Sequence, residues 1–463
     1  MTSTSTPQEL VERALTESDA DDCFVIVDEG SSANLRWANN TLTTNGESHA
    51  RTATVVSFVG GTPGRATAPI SRTARTLDDI TDLVHAADAA ARDAGPAPDA
   101  APLADGQPAR SWDEEPDDTT IGVFGDLAPA LGDVLARAVA DDRVLYGYAE
   151  HAVTTSYVGS STGVRLRHVQ PGGHIGITGK DTDLSRSAWV GRATRDFADV
   201  DVNVLGEDLR RRLGWAERSV DLPAGRYDTV LPPAAVADLM IYAYWTATAR
   251  EAYEGQTVFG RAGGGTRIGD RLTDRPVRVW SDPDAAGLEC APFVLTRSSG
   301  SAASVFDNAM PSPASDWVTD GVLRSLVQTR ETAALTGQPF TPGVDNLLVS
   351  VDGADGNLDD LVSGVDHGLL LTCLWYIREV DPQNLLLTGL TRDGVYLVEN
   401  GEVTGAVNNF RFNESPIDLL GRIGGASATE NSFSREWGDE FLRTSTPALR
   451  VPDFNMSTVS QAR

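Results

Sequence analysis

Side chains able to do chemistry are few and widely spaced in this sequence. It holds three cysteines, Cys23, Cys290 and Cys373, and six histidines. A hydrolytic zinc needs imidazole, thiolate or carboxylate donors at bonding distance, a position open to water and a base for the water's proton. No histidine lies between His174 and His367, and no two cysteines form a Cys-x-x-Cys pair. His367, beside Asp366, precedes Cys373 closely enough to suggest a Cys-His nucleophile pair and a hydrolase. The run Leu369-Leu370-Leu371-Thr372-Cys373-Leu374-Trp375 is apolar, however, and a free cysteine in such a strand ordinarily packs as a small, unreactive hydrophobe.

Four further signals have bland readings that outweigh the chemical ones. Gly159-Ser160-Ser161-Thr162-Gly163 fits the Gly-x-Ser-x-Gly pattern of a nucleophile elbow, but that motif needs a helix straight after the serine. Here Val164-Arg165-Leu166-Arg167 predicts a strand, and so a hairpin turn. The glycine-rich residues 260–269 lack a P-loop lysine and read as a loop. His174, in the expected turn Pro171-Gly172-Gly173-His174, reads as a hydrogen-bonded structural histidine. The acidic groups Asp113-Glu114-Glu115 and Asp282-Pro283-Asp284 read as solvated surface rather than cation sites.

The elements that must carry these residues change character along the chain. Thr6-Pro7-Gln8-Glu9 is a helix start with a capping hydroxyl, a proline at the first helical position and a glutamate to close the box; Leu10, Ala14 and Leu15 form its buried stripe. From Cys23 to Ile70, runs such as Phe24-Val25-Ile26-Val27, Leu35-Arg36-Trp37 and Ala53-Thr54-Val55-Val56-Ser57-Phe58 alternate with turn signals at Asn45-Gly46 and Gly60-Gly61, predicting an antiparallel meander. Leu77, Ile80, Val84, Ala87 and Ala91 have helical spacing after Thr76, as do Leu127, Leu131, Val134, Leu135 and Ala138. Residues 94–118, rich in Ala, Pro, Asp and Gly, predict a mobile linker. Strands resume over residues 144–177.

The proline-containing stretch Leu222-Pro223-Ala224-Gly225 predicts a boundary between an N-terminal α+β domain with an antiparallel sheet (residues 1–220) and a C-terminal domain (residues 221–463). The second domain opens with a long helix, roughly 233–253, and continues in short strands (277–280, 347–351, 368–377, 385–390, 394–399 and 403–412) that suggest a mainly β barrel or sandwich. The fold class is therefore α+β in two domains, as 463 residues would suggest.

Composition narrows the function classes. A net charge of −28, with Lys180 the only lysine, makes the surface repel phosphate, which argues against nucleic acid and against an anionic membrane as partners. Residues 1–10 are polar without a basic-then-apolar pattern, and the longest apolar run is about half a membrane span. Scarce, dispersed cysteines fit a reducing compartment. The expected location is cytoplasmic.

Three segments carry a family resemblance. Leu35-Arg36-Trp37-Ala38-Asn39-Asn40 with the strand Ala53-Thr54-Val55-Val56 and Gly60-Gly61, then Ser156-Tyr157-Val158-Gly159-Ser160-Ser161-Thr162-Gly163, then Gly368-Leu369-Leu370-Leu371-Thr372 followed by Gly394-Val395-Tyr396-Leu397-Val398-Glu399-Asn400-Gly401-Glu402-Val403 resemble, in order, the TldD/TldE (PmbA) metallopeptidase-related family. The resemblance implies a subunit that pairs with a relative to enclose a proteolytic chamber. TldD-type chains of that family carry His-Glu-x-x-x-His on a helix early in the second domain, with a late cysteine as a further zinc ligand; TldE-type chains lack this site and pair with them. Placed by Glu254-Gly255-Gln256-Thr257-Val258-Phe259, the motif positions here fall on Met240, Ile241 and Trp245, and no cysteine follows Cys373.

The resemblance thus implies a TldE-like chain with no catalytic residue, no metal and no cofactor of its own, the zinc residing in a TldD-type partner. An apolar Met240, Ile241 and Trp245 suit a packed core or the wall of a peptide groove, and Met240, Tyr244, Trp245, Gly263, Gly264 and Gly265 are the groove candidates. Unfolded or extended peptide would be held by strand addition and presented to the partner's zinc. The rival readings are a stand-alone, homodimeric peptide-binding or scaffold protein that has lost proteolysis, and the Cys373/His367 hydrolase.

Overall fold

The computed structural model describes residues 5–61 and 64–460; residues 1–4 of the polar start lie outside the described residues. The chain is α+β, with an antiparallel first sheet and a larger mixed second sheet.

The first sheet is built from β1 (Asp22–Ala38), β2 (Thr41–Val59), β3 (Ala66–Arg72), β4 (Arg143–Ser160), β5 (Arg165–Asp181) and β6 (Ser187–Thr194), in the order β3-β2-β1-β4-β5-β6. Helices α1 (Pro7–Glu17), α2 (Leu77–Asp93), α3 (Leu127–Ala140) and α4 (Val202–Trp215) cover one face. Period-2 alternation decides which residues meet them: Val25, Val27, Leu35 and Trp37 of β1 point under the helices, while Phe24 and Ile26 point the other way and pack with Val305 and Phe306 from the second half.

The expected meander has fewer, longer strands than the apolar runs suggested. Asn45-Gly46 lies inside β2 opposite Leu35 and Asn34, because the polar segment finds a complete ladder against β1. The turn at residues 160–163 is a hairpin, with Gly163 at φ 94°. Helix α1 starts where its capping box predicted: the Thr6 hydroxyl accepts from the Glu9 amide at 3.2 Å and the Glu9 carboxylate accepts from the Thr6 amide at 2.8 Å. Thr6→Ala should cost about 1 kcal/mol, read as a lower urea midpoint at unchanged slope; no shift would mean that the cap does not hold the helix.

Residues 94–118, read from the sequence as a mobile linker, run without regular structure and are anchored to the sheet at several points. Trp112 is buried edge-on to Tyr157 at 5.8 Å, the Tyr157 hydroxyl donates to the Glu114 carbonyl at 2.6 Å, and single bridges join Pro96 to Ala66 and Pro108 to Arg165. Small, aperiodic side chains keep the segment out of regular structure, and the Ala109 and Asp117 amides donate to Arg165 and Thr155 of the sheet.

The second sheet contains, among the described residues, β7 (Ser219–Val220), β8 (Gly225–Leu231), β9 (Val277–Ser281), β10 (Ser315–Thr319), β11 (Val322–Leu323), β12 (Leu347–Val351), β13 (His367–Leu371), β14 (Leu374–Asp381), β15 (Leu386–Thr391), β16 (Val395–Glu399), β17 (Glu402–Val407), β18 (Phe410–Glu414), β19 (Gly425–Ser432) and β20 (Thr444–Val459). The barrel- or sandwich-like expectation resolves to one branched sheet. β20 pairs with β8, β12, β18 and β19, and the branch continues from β18 to β15 to β14. Helix α5 (Pro233–Trp245) runs through its core, followed by α6 (Ala249–Tyr253), α7 (Arg330–Thr336), α8 (Leu358–Ser363) and α9 (Pro416–Gly421).

The two halves meet through Phe58 and Phe306 (centroids 5.0 Å apart), the Arg297–Asp28 ion pair and the Arg435 guanidinium held between Trp189 of β6 and Trp375 of β14, 4.9 and 4.8 Å from their centroids. Among the described residues no helix is long and apolar enough to cross a membrane.

Candidate substrate groove

The long helix expected over residues 233–253 is two helices. Val327 forms a bridge with residues 247–249: its amide donates to the Ala247 carbonyl at 2.8 Å and its carbonyl accepts from the Ala249 amide at 2.9 Å. That pairing takes the backbone out of helical geometry between α5 and α6. Helix α5 is apolar on all sides and buried along most of its length, the pattern of a helix enclosed by its own domain.

Its two faces have different surroundings. Met240 and Tyr244 face the core, beside Phe259, Val279 and Trp317 around a small apolar cavity of 30 Å³. The Tyr244 hydroxyl donates to the Val344 carbonyl and accepts from the Val344 amide, both at 2.8 Å, and burial pushes it well above the usual phenol range. Ile241 is fully buried. Trp245, 39% exposed, lines an open groove of 580 Å³ between α5, α6 and β14. Gly263, Gly264 and Gly265, at φ 94°, 104° and 90°, form a tight turn closed by Arg261 N–H to Gly265 O at 2.9 Å and do not line the groove. Of the six groove candidates, the structure places only Trp245 there; Tyr242, Glu251, Thr257, Ile377, Glu379 and Trp437 join it.

Trp437 connects the parts. Its ring lies 5.8 Å from Tyr242 and 5.2 Å from Trp245, making one aromatic wall, and its Nε1–H donates to the Asp238 carbonyl at 2.8 Å. The turn holding it is fixed to α5 by Asp238, whose Oδ1 accepts from the Ser434 hydroxyl at 2.5 Å and the Glu436 amide at 3.0 Å. Burial, against the pull of those hydrogen bonds, lifts the Asp238 carboxyl to about 7. Glu436 reaches across to β14, its two oxygens accepting from the Tyr376 and Ile377 amides at 2.9 Å each. Tyr376 sits at φ 58° where the β14–β15 register shifts, so this carboxylate pins a bulge. Beyond it β14 has β15 as its strand partner, leaving an edge along the groove.

The motif positions do not suit a metal. Met240 offers a thioether turned to the core, Ile241 no donor atom, and Trp245 an indole N–H without a lone pair. Among the described residues no three His, Cys, Asp or Glu side chains converge as a metal site.

The other chemical candidates separate likewise. Cys373 lies in the break between β13 and β14, not within the single strand expected over residues 368–377, and is buried with its thiol pushed up to about 12. His367 begins β13, exposed and opposite Glu399. The rise of about 3.3 Å per residue along β13 separates imidazole from thiol, so no Cys-His pair forms. His174 stands in β5 rather than in a turn, stacked on Phe433 at 5.2 Å, and burial lowers its pKa. Asp113-Glu114-Glu115 serves through its backbone and by Glu114 pairing with Arg167, and Asp282 forms a local turn with Asp284. With all three cysteines buried, the native protein should react with a thiol reagent such as dithionitrobenzoate many times more slowly than the denatured chain at pH 8. Fast native labelling of Cys373 would reopen it as a nucleophile.

Comparison with known proteins follows the same lines. The profile of the PmbA/TldA metallopeptidase C-terminal domain matches residues 224–458. TldE from Thermococcus kodakarensis has a similar structure, with a TM-score of 0.77 at 15% identity over 97% of this chain and 99% of that one. A Thermotoga maritima protein described as a candidate modulator of a DNA gyrase aligns with a TM-score of 0.74 at 15% identity over 97% and 100% of the two chains. A Bacteroides thetaiotaomicron protein with a like description gives 0.73 at 14% identity over 98% of each. At such identities the likeness is one of fold. No curated protein sequence matches this one.

Proposed function

Because the chain belongs to the PmbA/TldA metallopeptidase family, we propose that it is a TldE-like, non-catalytic subunit that binds extended peptide and presents it to a zinc-bearing TldD-type partner. The observation that carries this reading is the groove. At the helix where the resemblance places a metal motif, this chain has an aromatic wall of Tyr242, Trp245 and Trp437 beside a strand edge. Such a surface takes a polypeptide by backbone pairing along β14 and packs side chains against the rings, without selecting one sequence. Bond cleavage then falls to the partner's metal.

The test is to purify the chain and a zinc-bearing TldD-type relative, separately and together, and to measure mass by light scattering and cleavage of a casein-derived peptide. The expected result is a mixed complex that cleaves, while this chain alone does not. A partner that cleaves equally well without this chain, together with no mixed complex, rejects the proposal. A stable pair of identical chains that binds peptide would favour the stand-alone scaffold.

A further inference from the structure

The groove carries more charge chemistry than general peptide binding requires. Glu251 on α6 and Glu379 on β14 both line it; burial first, then the negative charges of Glu251 and Asp381, hold the Glu379 carboxyl above its ordinary range. Two like charges brought together in a partly desolvated cleft are unfavourable unless a cation joins them.

The chain's own cation does not serve. Arg378, which lines the groove, lies over the Tyr376 ring at 4.7 Å, donates to the Ile377 carbonyl at 2.5 Å and stands 3.4 Å from Glu436. Its charge is directed to the bulge. Glu251 accepts from the Thr248 hydroxyl at 2.9 Å, a neutral partner.

A second observation comes from the wall of the same groove. Thr257 lines the groove, is only 5% exposed, and its Oγ1 has no hydrogen-bond partner. A buried hydroxyl without a partner is costly, of order 1 kcal/mol or more, and a ligand N–H donor would satisfy it. Alongside stand the electron-rich faces of Tyr242, Trp245 and Trp437, which attract a cation and pack its aliphatic stem.

Building on the peptide-binding reading above, we infer that this groove is a subsite for a positively charged side chain of the bound peptide, arginine or lysine. Glu251 and Glu379 receive its charge, Thr257 accepts one of its N–H donors, and the aromatic wall flanks its methylenes. The substrates presented would be extended segments carrying basic residues, in keeping with a surface whose net charge is −28.

The test uses the full chain and four fluorescein-labelled peptides of alanine, serine and threonine that differ at one central position: arginine, lysine, norleucine or glutamate. Fluorescence anisotropy should show the two cationic peptides binding about tenfold more tightly than the norleucine peptide, the equivalent of one partly desolvated ion pair, and the glutamate peptide weakest. In a Glu251→Gln/Glu379→Gln protein, whose thermal melt confirms folding, the preference for cations should vanish while norleucine binding stays or improves. Equal binding of the arginine, lysine and norleucine peptides by the unaltered chain would overturn the cation subsite and leave peptide binding intact. Failure of all four to bind would overturn the peptide-binding reading beneath it.

Discussion

Asp238→Asn is expected to gain stability over the wild-type chain as pH rises, by about 4 kcal/mol between pH 4 and pH 8. The sign follows from where the proton is held. Asp238 is fully buried and its carboxyl is raised to about 7, with burial the main cause and the Glu436 charge adding to it. In the unfolded chain the same group ionises near 3.8. Between those values the folded protein keeps a proton that the unfolded one has released, so stability is fully present below the lower value and declines until pH passes the upper one. Asparagine keeps an oxygen where Oδ1 accepts from Ser434 and the Glu436 amide, and puts a neutral amide where Oδ2 is buried without a partner.

Urea titrations of both proteins across that pH range measure the difference. Half-buried His168 and His174, whose lowered pKa values act in the opposite direction, are common to both proteins and cancel. Parallel curves for the two would show that Asp238 is ionised in the fold at neutral pH. Asp238→Ala, by contrast, leaves two donors unpaired and should cost about 3 kcal/mol near pH 5, where the wild-type group is neutral.

Glu436→Ala is expected to lower stability by about 3 kcal/mol, two charge-assisted hydrogen bonds to backbone amides at the lower end of their usual worth, and to weaken peptide binding by more than about tenfold. The larger consequence is for β14. Without the carboxylate, Tyr376 has no compensation for its left-handed backbone, and the bulge that sets Glu379 along the groove is free to relax. Glu436→Gln, with one accepting oxygen and one donating NH₂ set against two amide donors, should fall about midway. Wild-type peptide affinity in Glu436→Ala would show that the bulge does not shape the groove.

What could be read from the sequence followed the range of the signal. Helices α1, α2 and α3 announced themselves because each has one apolar stripe, with a local start signal at α1 and α2; the spacing named the buried residues of α3, but in α1 it took half-buried Leu15 for buried Val11, and in α2 exposed Leu77 for buried Leu83. Helix α4 escaped notice: only Val202, Leu209 and Leu213 are buried, among a run of arginines that neutralise nearby acids. Helix α5 posed the opposite difficulty. With apolar residues all round there is no stripe to choose, so core-facing Met240 and Tyr244 could not be told from groove-facing Tyr242 and Trp245. Trp437 and Glu436 meet α5 and β14 only through tertiary contacts that span much of the chain, and no local pattern reports them. The break at residues 246–248 is equally non-local, since Val327 imposes it.

The central place of β20 has a consequence in time. Its Arg450 pairs with Asp228 of β8, 222 positions earlier. At about 5 to 20 residues per second, synthesis leaves β8 waiting roughly 10 to 40 s for that neighbour. During that interval α5 is already made, its apolar surface without most of the strands that later enclose it. The second half therefore depends on protection while it is being made, and slow folding with a tendency to aggregate on rapid overproduction is the kinetic signature to expect from so late a closing strand.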